Sequence, residues 1–206
     1  MKHHKRIVIV FARAPVPGRC KTRLIPALGR EGAAKLHRRL VLKTLRTALG
    51  AGTTVELWCA PDTRHGFFLA CRREFGVRLR GQPSGDLGRR MSHALTRALY
   101  EGADQVVLIG TDCPSLGHGD IRGAFSRLSG GKDCVLQAST DGGYVLIGAQ
   151  RFERRALAGI RWSSGHEGAQ TRNRLRRLGL SCAALPPRKD VDTPGDFRSA
   201  RRQGLL

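Results

Sequence analysis

The chain has 206 residues, of which 40% are hydrophobic, and carries a formal net charge of +21. This length is typical of one domain over residues 1–206, with a core large enough to need no disulfide framework, and no segment approaches the roughly 20 apolar residues of a membrane-spanning helix. The basic start, residues 1–6, is like that of a signal peptide, but the apolar stretch after it is too short and lacks a small-residue cleavage site. A cytoplasmic location is therefore expected.

The high positive charge does not exclude nucleic-acid binding, because a strongly basic chain is one mark of a nucleic-acid-binding protein. Here the lysines and arginines are dispersed through helix-like segments, without a dense basic tail, and only 5% of residues are aromatic. Stacking platforms for bases are therefore few. Attraction of phosphorylated small molecules is compatible with the same charge, and nucleic-acid binding is kept as an alternative.

Short apolar segments alternate with longer amphipathic ones along the chain. In order they are RIVIVFA, EGAAKLHRRLVLKTLRTAL, TVELWCA, RHGFFLACRREFG, VRLR, LGRRMSHALTRALYEGA, QVVLIG, GDIRGAFSRLS, DCVLQAS, YVLIGA, HEGAQTRNRLRRLGL, SCAAL and TPGDFRSARRQ. QVVLIG is apolar throughout, as in a central strand covered on both faces. The alternation predicts a three-layer α/β/α fold with a mostly parallel sheet, in which ligands bind beyond the carboxyl ends of the strands.

The loop FARAPVPGRCKTRL leaves the first predicted strand and contains a Gly-Lys-Thr-like turn. A Walker loop needs a glycine directly before its lysine, whereas Cys20 precedes Lys21 here. The nucleoside-triphosphate loop is therefore not present. The position still suits phosphates, because Gly18 permits a turn and cations follow it at Arg19, Lys21 and Arg23. A solvated basic loop is the competing interpretation.

Carboxylates mark two other places in the sequence. Asp112 follows QVVLIG directly, where it would face the crevice or simply form a turn before proline. Asp190 and Asp192 alternate on one face of an extended segment. Two such carboxylates repel unless a cation lies between them, and hard oxygen ligands beside phosphates favour Mg²⁺ or Mn²⁺.

The nearby Asp196 has a different explanation. Thr193, Pro194 and Asp196 form a good helix start, with a hydroxyl at the N-cap, proline at the first position and an acid at the third. We therefore expect Asp196 to cap a helix and not to bind a ligand.

The motifs FARAPVPGRCKTRL, GDLGRRM, LIGTDCPSL, DGGYVLIG, GIRWSS and DVDTPGDF occur in order over nearly the whole chain. Together they resemble bacterial transferases of the glycosyltransferase A type, of the arsenosugar-biosynthesis or radical-SAM/selenodomain-associated kind. The chain is more distantly similar to 2-phospholactate guanylyltransferases and molybdenum-cofactor nucleotidyltransferases. The resemblance implies a GT-A, nucleotide-diphosphosugar-transferase fold with a divalent metal at the nucleotide phosphates.

The same resemblance implies roles for particular residues. The residues expected to bind the nucleotide or its phosphates are Ala14, Pro15, Gly18, Lys21, Thr22, Arg23, Asp86 and Gly88. The metal ligands would be Asp112, Asp190 and Asp192, and the catalytic carboxylates Asp112 and Asp141. The acceptor or transferred group would be approached by Gly142, Gly143 and Tyr144.

Three features depart from the family pattern. The segment TDCP carries one carboxylate where GT-A enzymes often have two, so a second metal ligand must come from elsewhere in the chain. Arg89 stands where an acid is usual, which weakens a catalytic role there. His166 and Glu167 lie in a looser segment and have no predicted role.

These expectations converge on a metal-dependent transferase that uses a nucleotide-activated donor. The preferred reaction moves a sugar from a nucleotide sugar to a small-molecule acceptor. The alternative is a guanylyl- or cytidylyltransferase that uses a nucleoside triphosphate and releases pyrophosphate. In both, metal and cations would neutralise the charge on a departing phosphate group.

Overall fold

The computed structural model describes residues 5–206, so the start of the basic leader-like segment, residues 1–4, lies outside the described part. The strands are β1 (Arg6–Arg13), β2 (Thr54–Ala60), β3 (Arg78–Gly81), β4 (Gln105–Ile109), β5 (Cys134–Ser139), β6 (Tyr144–Ala149) and β7 (Cys182–Arg188). The helices are α1 (Ile25–Leu49), α2 (Gly66–Phe75), α3 (Leu87–Tyr100), α4 (His118–Ser129), α5 (Glu167–Arg177) and α6 (Pro194–Arg202). Each strand and helix coincides with a segment predicted from the sequence. Helix α1 begins earlier than predicted and is broken at Gly29.

The strands form one seven-stranded sheet in the order β3-β2-β1-β4-β6-β5-β7. All neighbouring pairs are parallel except those of β6, which runs antiparallel to both β4 and β5. The predicted mostly parallel three-layer α/β fold is confirmed. As its apolar sequence indicates, β4 is buried along its whole length at the centre of the sheet.

Alternating side chains of β1 divide the core into two layers. Val8 and Val10 pack in a cluster that includes residues of α1, α2 and α4. Ile7 and Ile9 point the other way, into a cluster that includes residues of α3 and α5. Helices therefore cover both faces of the sheet, and what remains open is the edge where the parallel strands end. No helix within residues 5–206 is long and apolar enough to cross a lipid bilayer.

The segment after β7 returns across this open edge toward β4, three strands away in the sheet. The backbone N–H of Val191 donates a 2.8 Å hydrogen bond to the carbonyl oxygen of Asp112, just past the end of β4. This bond brings Asp190 and Asp192 to the same edge as Asp112, although nearly eighty residues separate them in the chain.

The helix start predicted at Thr193 is confirmed. The Thr193 hydroxyl accepts a 3.2 Å hydrogen bond from the Asp196 N–H, while the Asp196 carboxylate accepts a 2.9 Å bond from the Thr193 N–H. Lys189 pairs with the same carboxylate at 3.0 Å. Burial raises the pKa of Asp196, but the bonds from Thr193 and Lys189 outweigh it and hold the pKa at about 2.

Replacing Asp196 by alanine should lower the free energy of unfolding by about 1 kcal/mol, as lost helix caps do. Because its folded pKa of about 2 lies below the unfolded value of about 3.9, the carboxylate stabilises the protein fully above pH ~4. Its contribution is lost as the pH falls toward 2.

Urea unfolding of the parent and Asp196→Ala at several pH values measures this difference. Glu31→Ala, at an exposed acid of α1, is the control and should leave stability unchanged. If the parent and Asp196→Ala are equally stable at pH 7, the Asp196 carboxylate does not stabilise the protein as a helix cap.

Candidate functional site

A cleft of about 500 Å³ opens at the carboxyl ends of β1, β2 and β4. Its wall combines the end of β1, the following loop, the end of β4 and one face of α3. Its polar lining includes Arg13, Arg19, Lys21, Thr22, His37, Gln82, Arg90, Asp112 and Asp190. The position agrees with the rule that ligands of parallel α/β sheets bind at this edge.

Lys21 links three distant segments at the floor of this cleft. Its ammonium lies 2.8 Å from Oδ1 of Asp112 and 2.9 Å from Oδ1 of Asp192, and donates a 2.6 Å hydrogen bond to the carbonyl oxygen of Val191. Only 5% of the Lys21 side chain is exposed. The backbone reaches this position through a left-handed residue, since Lys21 has a φ of 47° directly before the 3-10 turn Thr22–Leu24.

The ammonium of Lys21 is fully engaged in these contacts. It donates hydrogen bonds to Val191 and Asp192 and forms an ion pair with Asp112, so three oxygens surround a group with three N–H donors. Burial lowers the pKa of Lys21, but Asp112 and Asp192 outweigh it and raise the pKa above its usual value. A phosphate would have to displace one of these partners to reach Lys21, so its phosphate-binding role stays a prediction.

Asp190 leaves this cluster with an excess of negative charge. Burial raises the pKa of its carboxyl to about 7, and the like charges of Asp112 and Asp192 add to the rise. Three carboxylates thus share one lysine cation, an arrangement that a divalent cation would relieve.

The donor chemistry therefore fits Mg²⁺ or Mn²⁺, both of which prefer oxygen ligands. Within residues 5–206, however, no three acidic, histidine or cysteine side chains form a complete metal site. The carboxylates would thus hold a cation together with oxygens from another source, such as a phosphate.

A second cavity of about 340 Å³ adjoins the first cleft and shares Leu87, Tyr144 and Asp190 with it. Carboxylates and an aromatic wall dominate its lining, with a single arginine. The lining comprises Arg23, Leu87, Met91, Asp141, Gly143, Tyr144, Trp162, Ser163, Gly165, Glu167, Asp190 and Asp192. The rings of Tyr144 and Trp162 meet edge to face, with centroids 6.2 Å apart.

The DGG turn between β5 and β6 lies against this second cavity. Oδ1 of Asp141 accepts a 3.1 Å hydrogen bond from the Gly143 N–H. Gly142 has a φ of 93°, and a Cβ there would collide with the carbonyl of Gly165. Gly168 in turn donates a 3.0 Å hydrogen bond to the Gly142 carbonyl. The turn is thus held rigidly against the start of α5, with Asp141 exposed toward the cavity.

His166 and Glu167, which had no predicted role, lie at the start of α5. Glu167 is buried, and its carboxylate accepts a 2.7 Å hydrogen bond from the Ser164 N–H, which ties down the turn before the helix. His166 is the exposed N-cap residue and lines neither cavity.

The predicted phosphate loop divides between the two cavities. Thr22 lines the first cleft, whereas Arg23 lines the second. Ala14, Pro15 and Gly18 line neither and shape the loop instead; Gly18 adopts a φ of 77°.

Asp86 and Gly88 also lie outside both linings and serve α3. Asp86 is the N-cap and accepts a 2.7 Å hydrogen bond from the Arg89 N–H. Gly88 is packed so closely that a Cβ would come within 2.6 Å of the Leu157 carbonyl and 2.8 Å of the Trp162 ring. Their nucleotide-binding roles stay predictions, and these contacts supply a structural reason for both residues.

Several cleft residues were not found from the sequence. Gln82 and Arg90 line the cleft and hydrogen-bond to each other at 3.1 Å. His37 projects from α1, its Nε2 lying 2.9 Å from the Arg13 carbonyl, and burial lowers its pKa. The motif GDLGRRM contains Arg90 and so offered a signal for it, whereas Gln82 lies three residues before that motif.

Residues 44–164 match the family DUF2064, described as an uncharacterized protein conserved in bacteria. The chain belongs to this family. Comparison with curated proteins found no match.

Among solved structures, this DUF2064 member resembles a protein of Desulfovibrio desulfuricans G20 named as a candidate nucleotide-diphospho-sugar transferase. The TM-score is 0.89 at 29% identity, covering 98% of this chain and 88% of the other. The fold is therefore that of the nucleotide-diphospho-sugar transferases.

Two more distant structures share the fold alone. One is CMP:2-keto-3-deoxy-manno-octonic acid synthetase complexed with CTP, with a TM-score of 0.58 and 15% identity over 97% of this chain and 98% of the other. The second is glucosyl-3-phosphoglycerate synthase of Mycobacterium tuberculosis, in complex with Mn²⁺, UDP and glucosyl-3-phosphoglycerate. Its TM-score is 0.55 at 12% identity over 98% of this chain and 77% of the other.

Replacing Lys21 by methionine should destabilise the protein, because it removes the cation from between two carboxylates. Loss of one partner from a fully buried pair costs about 3–5 kcal/mol. Since Asp112 and Asp192 are 44% and 37% exposed, solvent screening reduces the expected loss to about 1–3 kcal/mol. Millimolar Mn²⁺ should restore part of this stability by replacing the missing charge.

Thermal unfolding of Lys21→Met with and without Mn²⁺ checks this expectation. Lys35→Met, at an exposed position of α1, is the matched control and should not respond. If Lys21→Met melts at the temperature of the parent, the ammonium does not hold the carboxylates together.

Proposed function

We propose that this chain is a cytoplasmic, metal-dependent transferase that moves a sugar from a nucleotide sugar to a small acceptor, with residues 1–206 acting as one domain. We assign it to the arsenosugar-biosynthesis or radical-SAM/selenodomain-associated kind, which its sequence motifs resemble. The observation that carries the proposal is the meeting of two cavities at one cluster of carboxylates, Asp112, Asp190 and Asp192. A donor in the first cleft and an acceptor in the second would meet at that cluster.

The first cleft suits the nucleotide part of the donor. Three separate elements present arginines to it: Arg13 at the end of β1, Arg19 in the following loop and Arg90 on α3. Guanidinium groups match the geometry of phosphate oxygens. The volume of about 500 Å³ lies within the usual range for small-molecule and cofactor sites.

The carboxylate cluster suits a divalent cation, which Asp112, Asp190 and Asp192 would hold together with donor phosphates. Mg²⁺ typically takes one or two protein carboxylates and fills its remaining positions with phosphate and water. Such a cation supplies charge neutralisation for a departing diphosphate. The Mn²⁺ and UDP bound to glucosyl-3-phosphoglycerate synthase, which shares the fold, agree with this choice.

The second cavity suits the acceptor and the transferred group. Asp141 is exposed toward it on a rigid turn, where its carboxylate could accept a proton or a hydrogen bond from an acceptor hydroxyl. Tyr144 and Trp162 offer flat apolar surfaces to a sugar ring. The cavity thus contributes a catalytic carboxylate, positioned by Gly142 and Gly143.

Nucleotidyl transfer is the second candidate, and the CTP complex of a synthetase with this fold favours it. The arginines of the first cleft could hold a triphosphate as well as a diphosphate. The two reactions differ in the released product: a nucleoside diphosphate marks glycosyl transfer and pyrophosphate marks nucleotidyl transfer. Product analysis with a panel of nucleotide sugars and nucleoside triphosphates therefore distinguishes the two reactions. Release of pyrophosphate alone would contradict glycosyl transfer.

The metal assignment predicts that Mn²⁺ binds weakly alone and more tightly with a nucleoside diphosphate. Asp112→Ala and Asp192→Ala should abolish this coupling. Asp190→Ala should have a smaller effect, because a pKa of about 7 leaves the Asp190 carboxyl only partly ionised at neutral pH. The measurement is calorimetric titration of Mn²⁺ into each variant, with and without UDP, GDP, CDP or ADP.

Asp196→Ala is the matched control, since this acid caps α6 a few residues away. It should lose stability but keep the coupling. If Asp112→Ala couples metal and nucleotide as the parent does, or if Asp196→Ala fails as Asp112→Ala does, the metal assignment is wrong.

A further inference from the structure

Arg90 projects into the first cleft from α3 in a fixed orientation. Its Nη1 donates a 3.1 Å hydrogen bond to Oε1 of Gln82, and its Nε donates a 3.3 Å bond to the carbonyl of Asp86. A guanidinium has five N–H donors, so these two bonds fix its plane and leave three donors for a ligand. Arg90 is thus prepared for binding before any ligand arrives.

Gln82 is itself locked in one orientation. Its amide nitrogen donates to two backbone carbonyls, those of Trp58 at 2.8 Å and Ala12 at 3.3 Å. Because an amide nitrogen can only donate and an amide oxygen can only accept, the oxygen must point at Arg90. The ends of β1 and β2 therefore set the direction of the Arg90 guanidinium through one side chain.

Arg90 lies close to a second cation, Arg13. Burial lowers the pKa of Arg90, and the neighbouring charge of Arg13 lowers it further. Neither arginine takes part in the ion pairs of residues 5–206. The carboxylate of Asp86 offsets part of the charge on Arg90, but two neighbouring like charges remain unfavourable, and an anion between them would remove that cost.

The competing cation of the cleft is already occupied. The buried Lys21 ammonium is surrounded by the oxygens of Asp112, Asp192 and Val191, so the N–H groups available to an incoming anion are those of the arginines. Asp112 and Asp190 also line the cleft, and their negative charges would disfavour an anion beside them. The N–H groups of Arg90 and Arg13 are therefore the donors to which an anion in this cleft would bind.

The geometry points to Arg90 and Arg13 as a clamp for the diphosphate of the ligand, with Gln82 as a positioning residue that acts through Arg90. A guanidinium held in one plane matches two phosphate oxygens at once. The proposal rests on the proposed nucleotide site in this cleft, and it assigns the phosphate contact to residues outside the loop Ala14–Arg23. The alternative role for Arg90 is hydrogen bonding to the edge of the nucleotide base, and evidence for that role would overturn the diphosphate clamp.

Inorganic pyrophosphate in the presence of EDTA is the probe, because it carries no base and needs no metal here. Calorimetry should show that the parent binds it and that Arg90→Gln weakens binding about tenfold or more, as expected for loss of charge-assisted hydrogen bonds. Arg89→Gln is the matched control: it makes the same charge change on the next residue of α3, which is exposed and outside the cleft. It should bind as the parent does.

Gln82→Ala tests the positioning role. It should weaken pyrophosphate binding in the parent but have no further effect when Arg90 is already glutamine, because the two act as one unit. Additive effects of the two substitutions would contradict that role, and so would unchanged binding by Gln82→Ala. Thermal unfolding of each variant shows whether the fold is kept.

Uridine and guanosine distinguish phosphate from base. Their binding should be the same in the parent and in Arg90→Gln, and a loss as large as that for pyrophosphate would overturn the clamp in favour of base reading. Failure of the parent to bind pyrophosphate, or equal losses in Arg89→Gln and Arg90→Gln, would also overturn it. These measurements exclude metal, so they are independent of the coupling between Mn²⁺ and nucleotide that tests the transferase proposal.

Discussion

The contact between the Lys21 ammonium and the carboxylates of Asp112 and Asp192 is the interaction on which the site depends. It joins the loop after β1, the end of β4 and the segment that returns from β7. The backbone bond from Val191 to Asp112 fixes the same junction. Without this cation, the like charges of Asp112, Asp190 and Asp192 would repel one another at the sheet edge.

This junction also explains how a chain with a net charge of +21 maintains an acidic centre. One lysine offsets part of the charge of Asp112, Asp190 and Asp192. Burial raises the pKa of Asp190 to about 7, and the remaining like charges add to the rise. Arg13, Arg19 and Arg90 also line the first cleft. A ligand that carries phosphates and a divalent cation would satisfy both sets of charges at once, which is the physical reason for preferring a nucleotide-activated donor.

Much of the fold could be predicted from local pattern. The apolar segment of β4 required a central strand, and Thr193 with Asp196 specified the start of α6, because both signals lie within a few neighbouring residues. The partners of Lys21 could not be predicted, since Asp192 is 171 positions away and meets it only because the chain crosses the sheet edge after β7. Gln82 and Arg90 were missed for the same reason, because the carbonyls that orient Gln82 belong to other strands. The family and the sheet edge indicated where the site lies, whereas tertiary contacts determined which side chains face it.

Anomalous diffraction from crystals grown with Mn²⁺, with and without UDP, would test the central claim most directly. The account predicts a manganese peak bound to Asp112 and to at least one of Asp190 and Asp192. Phosphate oxygens of UDP should complete the coordination, and the peak should be weak or absent without the nucleotide. A manganese ion bound elsewhere, or UDP bound outside the cleft between Lys21 and Arg90, would contradict the account.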